Sequence, residues 1–480
     1  MSESLGQHAI VLGASMAGLL AARVLSEAFE RVTVVERDDL RPRDGLRATR
    51  RGVSQGGHAH ALLARGHQIL ENDLFPGLTK ELEGLGMPTG DVGGNLRWFF
   101  NGEQLPQPDL GLLCVSAYRP ALENQVRARV NELDNVTFVD RCDIIEPATT
   151  PDHERVTGVW IRRREDAAEN EKLAADLVMD CTGRGGRTLA WLEGFGYPRP
   201  EEERVKIGLT YTTRHYRMPE DQIGDDLAII PVATPTHPRG AVFSRACGRF
   251  QLSLTGILGD SAPVDPEGFS EYSRSLPIPH IFDAISKAEP LDDPVAIRYP
   301  ASVRRRYEKL DRFPAGMLVM GDAVCSFNPV YAQGMTVSAL ESLVLRDYLR
   351  KGRVPGFREF FRSISRVIDP PWEISATGDL GFPGVESKRT VKVRVINAYM
   401  ARLQAAAPHD EVVTTAFLRT AGLIDSPQSL LRPGTSIRVL RKSRRGSTII
   451  VPQDRDGTAS PVVQQASSKY SYQFRANSEE

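Results

Sequence analysis

The strongest constraint on this chain is the run His8-Ala-Ile-Val-Leu-Gly13-Ala-Ser15-Met-Ala-Gly18, followed by a second apolar stretch that closes on Glu36. Ala9 to Leu12 suits a short buried parallel strand. From Met16 to Phe29 the residues Leu19, Leu20, Val24, Leu25 and Ala28 recur at helical spacing. Val32, Thr33, Val34 and Val35 are β-branched and read as a second strand. The order strand, turn, helix, strand is a βαβ unit, with glycines at the turn that needs them. Gly13 allows the tight turn, and Gly18 lets the helix lie close to the sheet. The free N–H groups of the first helical turn, at Met16 and Ala17, favour a diphosphate. Ser15 stands where the dinucleotide fingerprint has its middle glycine; it crowds a diphosphate but can also donate a hydrogen bond to it. Glu36 lies eighteen residues beyond Gly18, near the spacing of a carboxylate that binds ribose hydroxyls, with Arg37 beside it as a further candidate contact. The competing reading is an ordinary tight βα turn.

A second segment far along the chain reads as part of the same site. Leu318-Val-Met320 is a buried strand that ends on Gly321-Asp322, followed by Asn328-Pro329 and Gly334-Met335. A Gly-Asp at a strand end, standing alone, is equally a turn whose Asp caps its own backbone. Here Pro329 fixes φ, and Gly334 opens a helix beginning Met335, so a rigid wall is followed by a helix terminus with free N–H donors. Arg119, just before the helix that Pro120 opens, has the planar fork that clamps phosphate; the alternative is a surface ion pair. A basic loop at 41–57 contains Arg51, and Leu177-Val-Met179 runs into the glycine-rich end Asp180-Cys-Thr182-Gly183.

At 480 residues the chain suits two or three connected domains, and 41% hydrophobic with 25% charged residues is a globular composition. The net charge of −1 gives no pull toward nucleic acid or a membrane surface. No apolar run reaches the roughly 18–20 residues of a spanning helix, and the chain enters its first strand without a signal peptide. Five cysteines scattered singly argue against a disulfide framework or a zinc site and for a cytoplasmic protein. No metal site is expected: His58 and His60, two apart, point to different faces of the helix expected over 58–74.

Residues 1–95 read as the first part of a dinucleotide-binding domain, and 96–204 as its continuation, with strands shared with a substrate domain. Residues 205–300 read as that substrate domain, where polar and apolar residues alternate as in half-buried antiparallel sheet. Residues 301–352 return to the dinucleotide-binding domain. Residues 353–445 form a helical region, and 446–480 are a polar tail expected to be disordered.

These motifs together resemble the FAD-dependent monooxygenases of the p-hydroxybenzoate hydroxylase superfamily. The resemblance is carried by the N-terminal GxSxxG, by Arg119 in its Arg-Pro-x-Leu-Glu context, and by Gly-Asp-Ala with Asn-Pro-Val-Tyr-x-Gln-Gly-Met. Arg51-Gly-Val-Ser-Gln55-Gly-Gly-His58-Ala-His60 and Thr182-Gly183-Arg184-Gly185 are similar to the branch containing the lasalocid and monensin polyether epoxidases. The resemblance spans roughly residues 5–390. It implies an α/β fold with a Rossmann-like FAD-binding domain of the p-hydroxybenzoate hydroxylase/glutathione reductase type, an inserted antiparallel substrate domain and C-terminal helices. It further implies that Glu36 holds the adenosine ribose and that the 15–18 turn holds the pyrophosphate. Arg119 lies near the phosphates or ribityl chain, Asp322 at the ribityl or phosphate region, and Pro329 to Met335 along the isoalloxazine. Three departures stand out. Asp180-Cys-Thr-Gly183 replaces the aromatic hydroxylases' Asp-Gly; Ala332 stands where the branch has glycine, a methyl expected to tighten the approach to the flavin; and Ser54 and Gly57 replace proline and arginine.

The resemblance implies that reduced FAD and O2 form a C4a-hydroperoxide, which transfers one oxygen atom to an apolar small molecule. The outcome is epoxidation or hydroxylation, in specialised metabolism such as antibiotic biosynthesis. The cofactor carries that chemistry, so no catalytic side chain is assigned. No second glycine-rich βαβ unit is present, so NAD(P)H donates electrons directly or through a partner flavin reductase. The competing functions are a flavin-dependent reductase of prenyl-chain alkenes and a non-catalytic flavin-binding redox sensor or carrier. A halogenase is disfavoured because Trp372-Glu-Ile-Ser375 is a poor match to Trp-x-Trp-x-Ile-Pro. The basic stretch from Arg438 to Arg445 reads as a solvated face, or as a docking site for a carrier protein.

Overall fold

The computed structural model describes residues 4–41, 49–164 and 169–443. The expected tail at 446–480, and the centre of the basic loop, lie outside the described residues. Five parallel strands form the first sheet: β1 (Gly6–Leu12), β2 (Phe29–Val35), β3 (Val136–Val139), β4 (Leu177–Asp180) and β5 (Met317–Val319), in the spatial order β5-β4-β1-β2-β3. β4 is buried throughout and β1 at all but its first two positions, as strands covered on both faces must be. Helix α1 (Met16–Leu25) packs on this sheet, and helix α3 (Gly334–Arg350) packs on α1; between them in the chain comes α2 (Arg119–Asn131).

The register decides where the loops emerge. Leu12 pairs with both Val35 and Asp180, and Asp180 pairs with Val319. Four strands therefore end level, and the segments that follow them leave from one edge of the sheet.

A second, eight-stranded sheet is built on the long strands Leu209–Arg217, Arg249–Gly256 and Gly240–Ala246. Its pairings are antiparallel except one: Ala228–Val232 runs parallel to Leu96–Phe100. This sheet is not half-buried as the alternation suggested. The Phe250, Leu252 and Leu254 face packs with Phe243, Phe269 and Ile281 in a separate apolar core. The polar residues Thr213, His215, Gln251 and Ser253 are buried too, because the loop carrying His58 covers them. Helices including α4 (Phe357–Asp379), Val391–Ala406 and Glu411–Ala421 follow. No helix among the described residues is long and apolar enough to cross a membrane.

Two local expectations are corrected. The first helix ends at Leu25, because Phe29 is drawn into β2 by pairing with Gly6. The helix expected over 58–74 starts late: His60, Ala61 and Leu62 pair with Ala117, Ser116 and Val115 as a strand, and only Ala64–Ile69 is α-helical before a π-turn at Leu70–Leu74. Strand pairing across the chain overrides the local helical spacing there.

A side chain at Gly18 has no room: its Cβ would lie 1.8 Å from the Gly13 carbonyl oxygen. Gly18→Ala is expected to destabilise the protein by about 1–3 kcal/mol in urea unfolding, as overpacking does. Gly84→Ala, at a helical position with open space around it, should be neutral or slightly stabilising. Equal effects at the two positions would contradict this account of the turn.

Candidate cofactor site

Because four strands end level, the segments after β1, β2, β4 and β5 converge at the carboxyl ends of the sheet, where open α/β folds bind ligands. Gly13, at φ +98°, is pressed so close that an added Cβ would stand 2.7 Å from the Cys181 carbonyl oxygen. Gly321, at φ +71°, would meet the Ala17 side chain at 2.6 Å. The turn at 13–18, the Cys181-Thr182-Gly183 turn and the Gly321-Asp322 turn are thus in mutual contact. Asp180 organises the middle one, accepting from the Thr182 N–H at 2.8 Å and from the Thr182 hydroxyl at 2.6 Å.

Arg119 reaches this place from a helix a hundred residues on. Its Nη2 donates to Ser15 Oγ at 2.9 Å and to Glu123 Oε2 at 3.0 Å. Ser15 sits at the N-cap of α1 without capping it, and no acidic residue occupies the first turn. The helix terminus therefore keeps its free donors and its positive end.

Around Glu123 the structure buries three guanidiniums. Arg50 donates to Glu123 Oε1 from Nε at 3.1 Å and to the Ala14 carbonyl at 3.2 Å; Arg127 lies 3.5 Å from Glu123 Oε1. Arg50 also lies 3.2 Å from Glu36 Oε2 and 3.6 Å from Asp38 Oδ2. Burial alone would raise the Glu123 carboxyl, but Arg119, Arg50 and Arg127 hold it below the usual range. Even so, Arg50 Nη1, Arg119 Nε and Arg127 Nη1 are buried without a hydrogen-bond partner. Arg50 Nη1 and Arg127 Nη1 still lie 3.2 and 3.5 Å from the Glu36 and Glu123 carboxylates, which leaves Arg119 Nε, near an open helix N-terminus, as the donor a diphosphate's oxygens would suit.

Glu36 is held in place rather than free. It accepts from the Ala14 N–H at 2.8 Å through Oε2 and from the Asp38 N–H at 3.0 Å through Oε1. Arg37 is exposed, with its Nε 3.7 Å from Asp38 Oδ1. Arg51 is exposed as well; the buried guanidinium of that loop is its neighbour Arg50.

Asp322 is solvent-accessible yet deeply set. Burial pushes its carboxyl above the usual range, while Arg184, Arg119 and Arg305 pull the other way. Added Cβ atoms at Gly183 and Gly334 would each touch the Asp322 side chain at 3.9 Å, so both glycines border it. Beyond it, Pro329 and Val330 are exposed on a short 3-10 turn at Pro329–Tyr331, Ala332 follows at φ +53°, and Met335 is buried at the start of α3. The left-handed backbone at Ala332 explains a glycine preference there better than a tightened approach to a ligand does. On the other side, the loop before His58 is pinned to the antiparallel sheet. His58 Nδ1 lies 2.7 Å from Thr213 Oγ1, and the Ala59 N–H donates to Ser253 Oγ at 3.0 Å. His60 donates from Nδ1 to the His58 carbonyl at 2.9 Å, and burial with Arg119 nearby lowers its pKa to about 4. It is therefore neutral at pH 7, with Nε2 left as an acceptor.

The structure thus gathers Gly13, Ser15, Met16, Ala17, Gly18, Glu36, Arg119, Gly183, Gly321, Asp322 and Gly334 at the carboxyl end of one sheet, while Arg37 and Arg51 are exposed. The sequence singles out neither Arg50, Asp38, Arg127 nor Glu341; Glu123 enters there only as the last residue of Arg-Pro-x-Leu-Glu, and His60 only beside His58 in the case against a metal site. A signal existed for two of them, since Glu123 and Arg127 follow Arg119 at one-turn and two-turn spacing on the same helix. A cavity of about 740 Å³ lies elsewhere, lined by Leu5, Phe29, Leu177, Arg312, Met317 and Phe357 at the amino-terminal ends of the strands. Gly356, which opens α4, lies at its rim, but open α/β sheets bind dinucleotides at the carboxyl ends of their strands and this cavity is at the opposite ends.

Glu341 gives this region a pH signature. It is fully buried; Oε2 accepts from the Gly321 N–H at 2.8 Å and Oε1 has no partner. Burial, with Asp322 adding to it, pushes the carboxyl up to about 8 from an ordinary 4.5. A raised acid pKa means stability is lost as pH climbs from the unfolded value through the folded one. Glu341→Gln keeps an acceptor for Gly321 and removes the charge. Its melting temperature should match the parent's near pH 5 and exceed it above about pH 8; parallel curves would contradict the assignment.

No family model matches the chain. Protein Rv3254 of Mycobacterium tuberculosis (strain ATCC 25618 / H37Rv) is 35% identical over 442 residues, covering 87% of this chain and 90% of that protein. Among solved structures, the flavin-dependent brominase Bmp2 superposes with a TM-score of 0.62 at 13% identity, over 92% of this chain and 100% of its own. p-Nitrophenol 4-monooxygenase PnpA from Pseudomonas putida DLL-E4 gives 0.61 at 14% identity, over 87% and 98%. A flavoprotein/dehydrogenase from Cytophaga hutchinsonii gives 0.62 at 14% identity, over 92% and 98%. At these identities the structural likeness establishes the fold, and the sequence likeness establishes the family: the chain belongs to the family of Protein Rv3254, built on the fold shared by flavin-dependent monooxygenases and brominases.

Proposed function

We propose that the protein binds FAD at this carboxyl end of the sheet and acts as a flavin-dependent monooxygenase, placing one oxygen atom from O2 on an apolar small molecule. The observation that carries the reading is the meeting of four distant segments at the end of one sheet: the open N-terminus of α1, Arg119 with its unsatisfied guanidinium nitrogen, the Thr182-Gly183 turn, and Asp322 with Gly334. The residues present fit the cofactor. Met16, Ala17 and Gly18 offer backbone donors to the diphosphate, with Ser15 and Arg119 beside them. Glu36 takes the adenosine ribose, with Arg37 and Arg51 at the solvent side. Asp322 takes the ribityl or phosphate region, Gly183 and Gly321 allow close approach, and Pro329, Gly334 and Met335 line the ring.

Bound FAD supplies the redox chemistry and the activation of oxygen. The chain grips and orients it, and the buried antiparallel sheet closes the far side against water. Residues 205–300, which supply most of that sheet, with Leu96–Phe100 and Glu103–Gln104 added at one edge, are the substrate domain in this reading. Electrons come from NAD(P)H, directly or through a reductase. The resemblance of residues 51–60 and 182–185 to the polyether epoxidase branch speaks for FAD and not for a substrate, so epoxidation of an alkene and hydroxylation are both outcomes of this reading.

Two measurements test this. The purified protein should be yellow or become so with FAD, and Arg119→Ala should weaken FAD binding by about tenfold or more, the loss of a charge-assisted contact. Reduced protein mixed with oxygen and a panel of alkenes and phenols should yield a product heavier by one oxygen atom in mass spectrometry. A product heavier by two hydrogens would indicate an alkene reductase instead, and flavin that reoxidises without any product would indicate a binding protein.

A further inference from the structure

Asp379, the last residue of α4, is 1% exposed, and the FAD reading as stated gives it no role. Its Oδ1 accepts two hydrogen bonds, from Asn328 Nδ2 at 2.8 Å and from the Tyr331 hydroxyl at 3.2 Å. Its Oδ2 is buried with no partner. Asn328 passes the contact on, since its own Oδ1 accepts from the Val330 N–H at 3.1 Å. The turn is closed by Ala332 N–H donating to the Pro329 carbonyl at 3.0 Å. The neighbouring Gly378 makes room for this arrangement: a Cβ there would stand 2.3 Å from the Tyr331 hydroxyl. One carboxylate oxygen thus fastens both ends of the short turn that exposes Pro329 and Val330.

That turn needs fastening. Ala332 sits at φ +53°, a left-handed conformation unfavourable for an L-residue, and glycine would relieve it. The hydrogen bonds from Asn328 and Tyr331 offset that cost, and they are stronger when the acceptor is charged.

We propose that Asp379 is a positioning residue: through Asn328 and Tyr331 it sets the Pro329–Tyr331 turn that forms one wall of the flavin ring's site, and its protonation loosens that wall. The inference rests on the FAD reading above. The proton has an obvious place, because Oδ1 is already occupied twice and Oδ2 is free. The titratable groups that face the carboxyl among the described residues are Tyr331, from the turn, and Tyr211, from the antiparallel sheet; burial holds both phenols protonated at neutral pH. Burial also raises Asp379 itself to about 7, with Asn328 and Tyr331 opposing the rise. The group therefore changes charge within the range where the protein is handled.

The test uses the FAD-bound full chain and follows the visible spectrum of the bound flavin from about pH 5.5 to about pH 8.5. The parent should show a single-proton transition near neutrality. Asp379→Asn, which keeps an oxygen acceptor but cannot titrate, should abolish it while retaining FAD. Tyr331→Phe removes one donor to the charged form, so it should move the midpoint upward by about 0.5–1 pH unit. Should Asp379→Asn prove too unstable to isolate, the Tyr331→Phe shift decides alone. FAD bound normally by the parent with no transition, or a midpoint that Tyr331→Phe leaves in place, overturns the role of Asp379 and spares the FAD reading. A parent that binds no FAD overturns both.

Discussion

Everything at the carboxyl end of the parallel sheet depends on how closely α1 approaches it. No Cβ fits at Gly18 against the Gly13 carbonyl, at Gly13 against Cys181, or at Gly321 against Ala17. Three turns from three parts of the chain interlock through missing side chains, and the N–H groups of Gly13, Ala14, Thr182 and Gly321 are taken up by Val35, Glu36, Asp180 and Glu341. A helix terminus held that close to the sheet has no acidic side chain in its first turn to satisfy it. Its donors are available to a ligand, and the level strand ends bring every other polar group of the site within reach.

The charge arrangement beside that terminus has a cost that the fold alone does not recover. Arg50, Arg119 and Arg127 are buried around Glu123, with Glu36 and Asp38 at the far side. Removing one member of such a buried cluster costs about 3–5 kcal/mol, because an uncompensated charge remains. Yet each guanidinium still carries a nitrogen without a hydrogen bond. In the proposed FAD reading an anionic ligand would complete such a site, and its binding would add stability to the folded state. Glu341 and Asp379 show the opposite strain, each a buried carboxyl with one oxygen engaged and one unpartnered. Both support turns at the carboxyl end of the parallel sheet, so the costs are concentrated where the cofactor is proposed to bind.

The parts of this architecture that could be read from sequence are those with local causes. The βαβ unit announced itself through apolar runs, β-branched residues and glycines at a turn. Arg119 before a helix-opening proline and Gly321-Asp322 at the end of a buried strand did so through single residues whose conformational demands are strong. Arg50 was passed over for Arg51 because nothing in an arginine-rich loop says which guanidinium turns inward; packing against Glu123 decides that. The strand at His60–Leu62 was read as helix because its partner, Leu113–Ala117, lies fifty residues away. Asp379 carried no signal, since an aspartate at the end of a long amphipathic helix is indistinguishable from a solvated one until its partners, Asn328 and Tyr331, are placed.

The sequence by itself determined the turn chemistry of the first βαβ unit, with its buried strand at Ala9–Leu12, its tight turn at Gly13 and its helix opening at Met16, all set by residues within a few positions of one another. Only the tertiary structure decided which charges are buried together, which face of the antiparallel sheet is covered, and which carboxyl fastens the turn at Pro329–Tyr331. Those outcomes depend on strand register and on contacts between residues tens to hundreds of positions apart. Side-chain identity along the chain does not encode them locally, because burial and electrostatic partnership exist only once the segments have met.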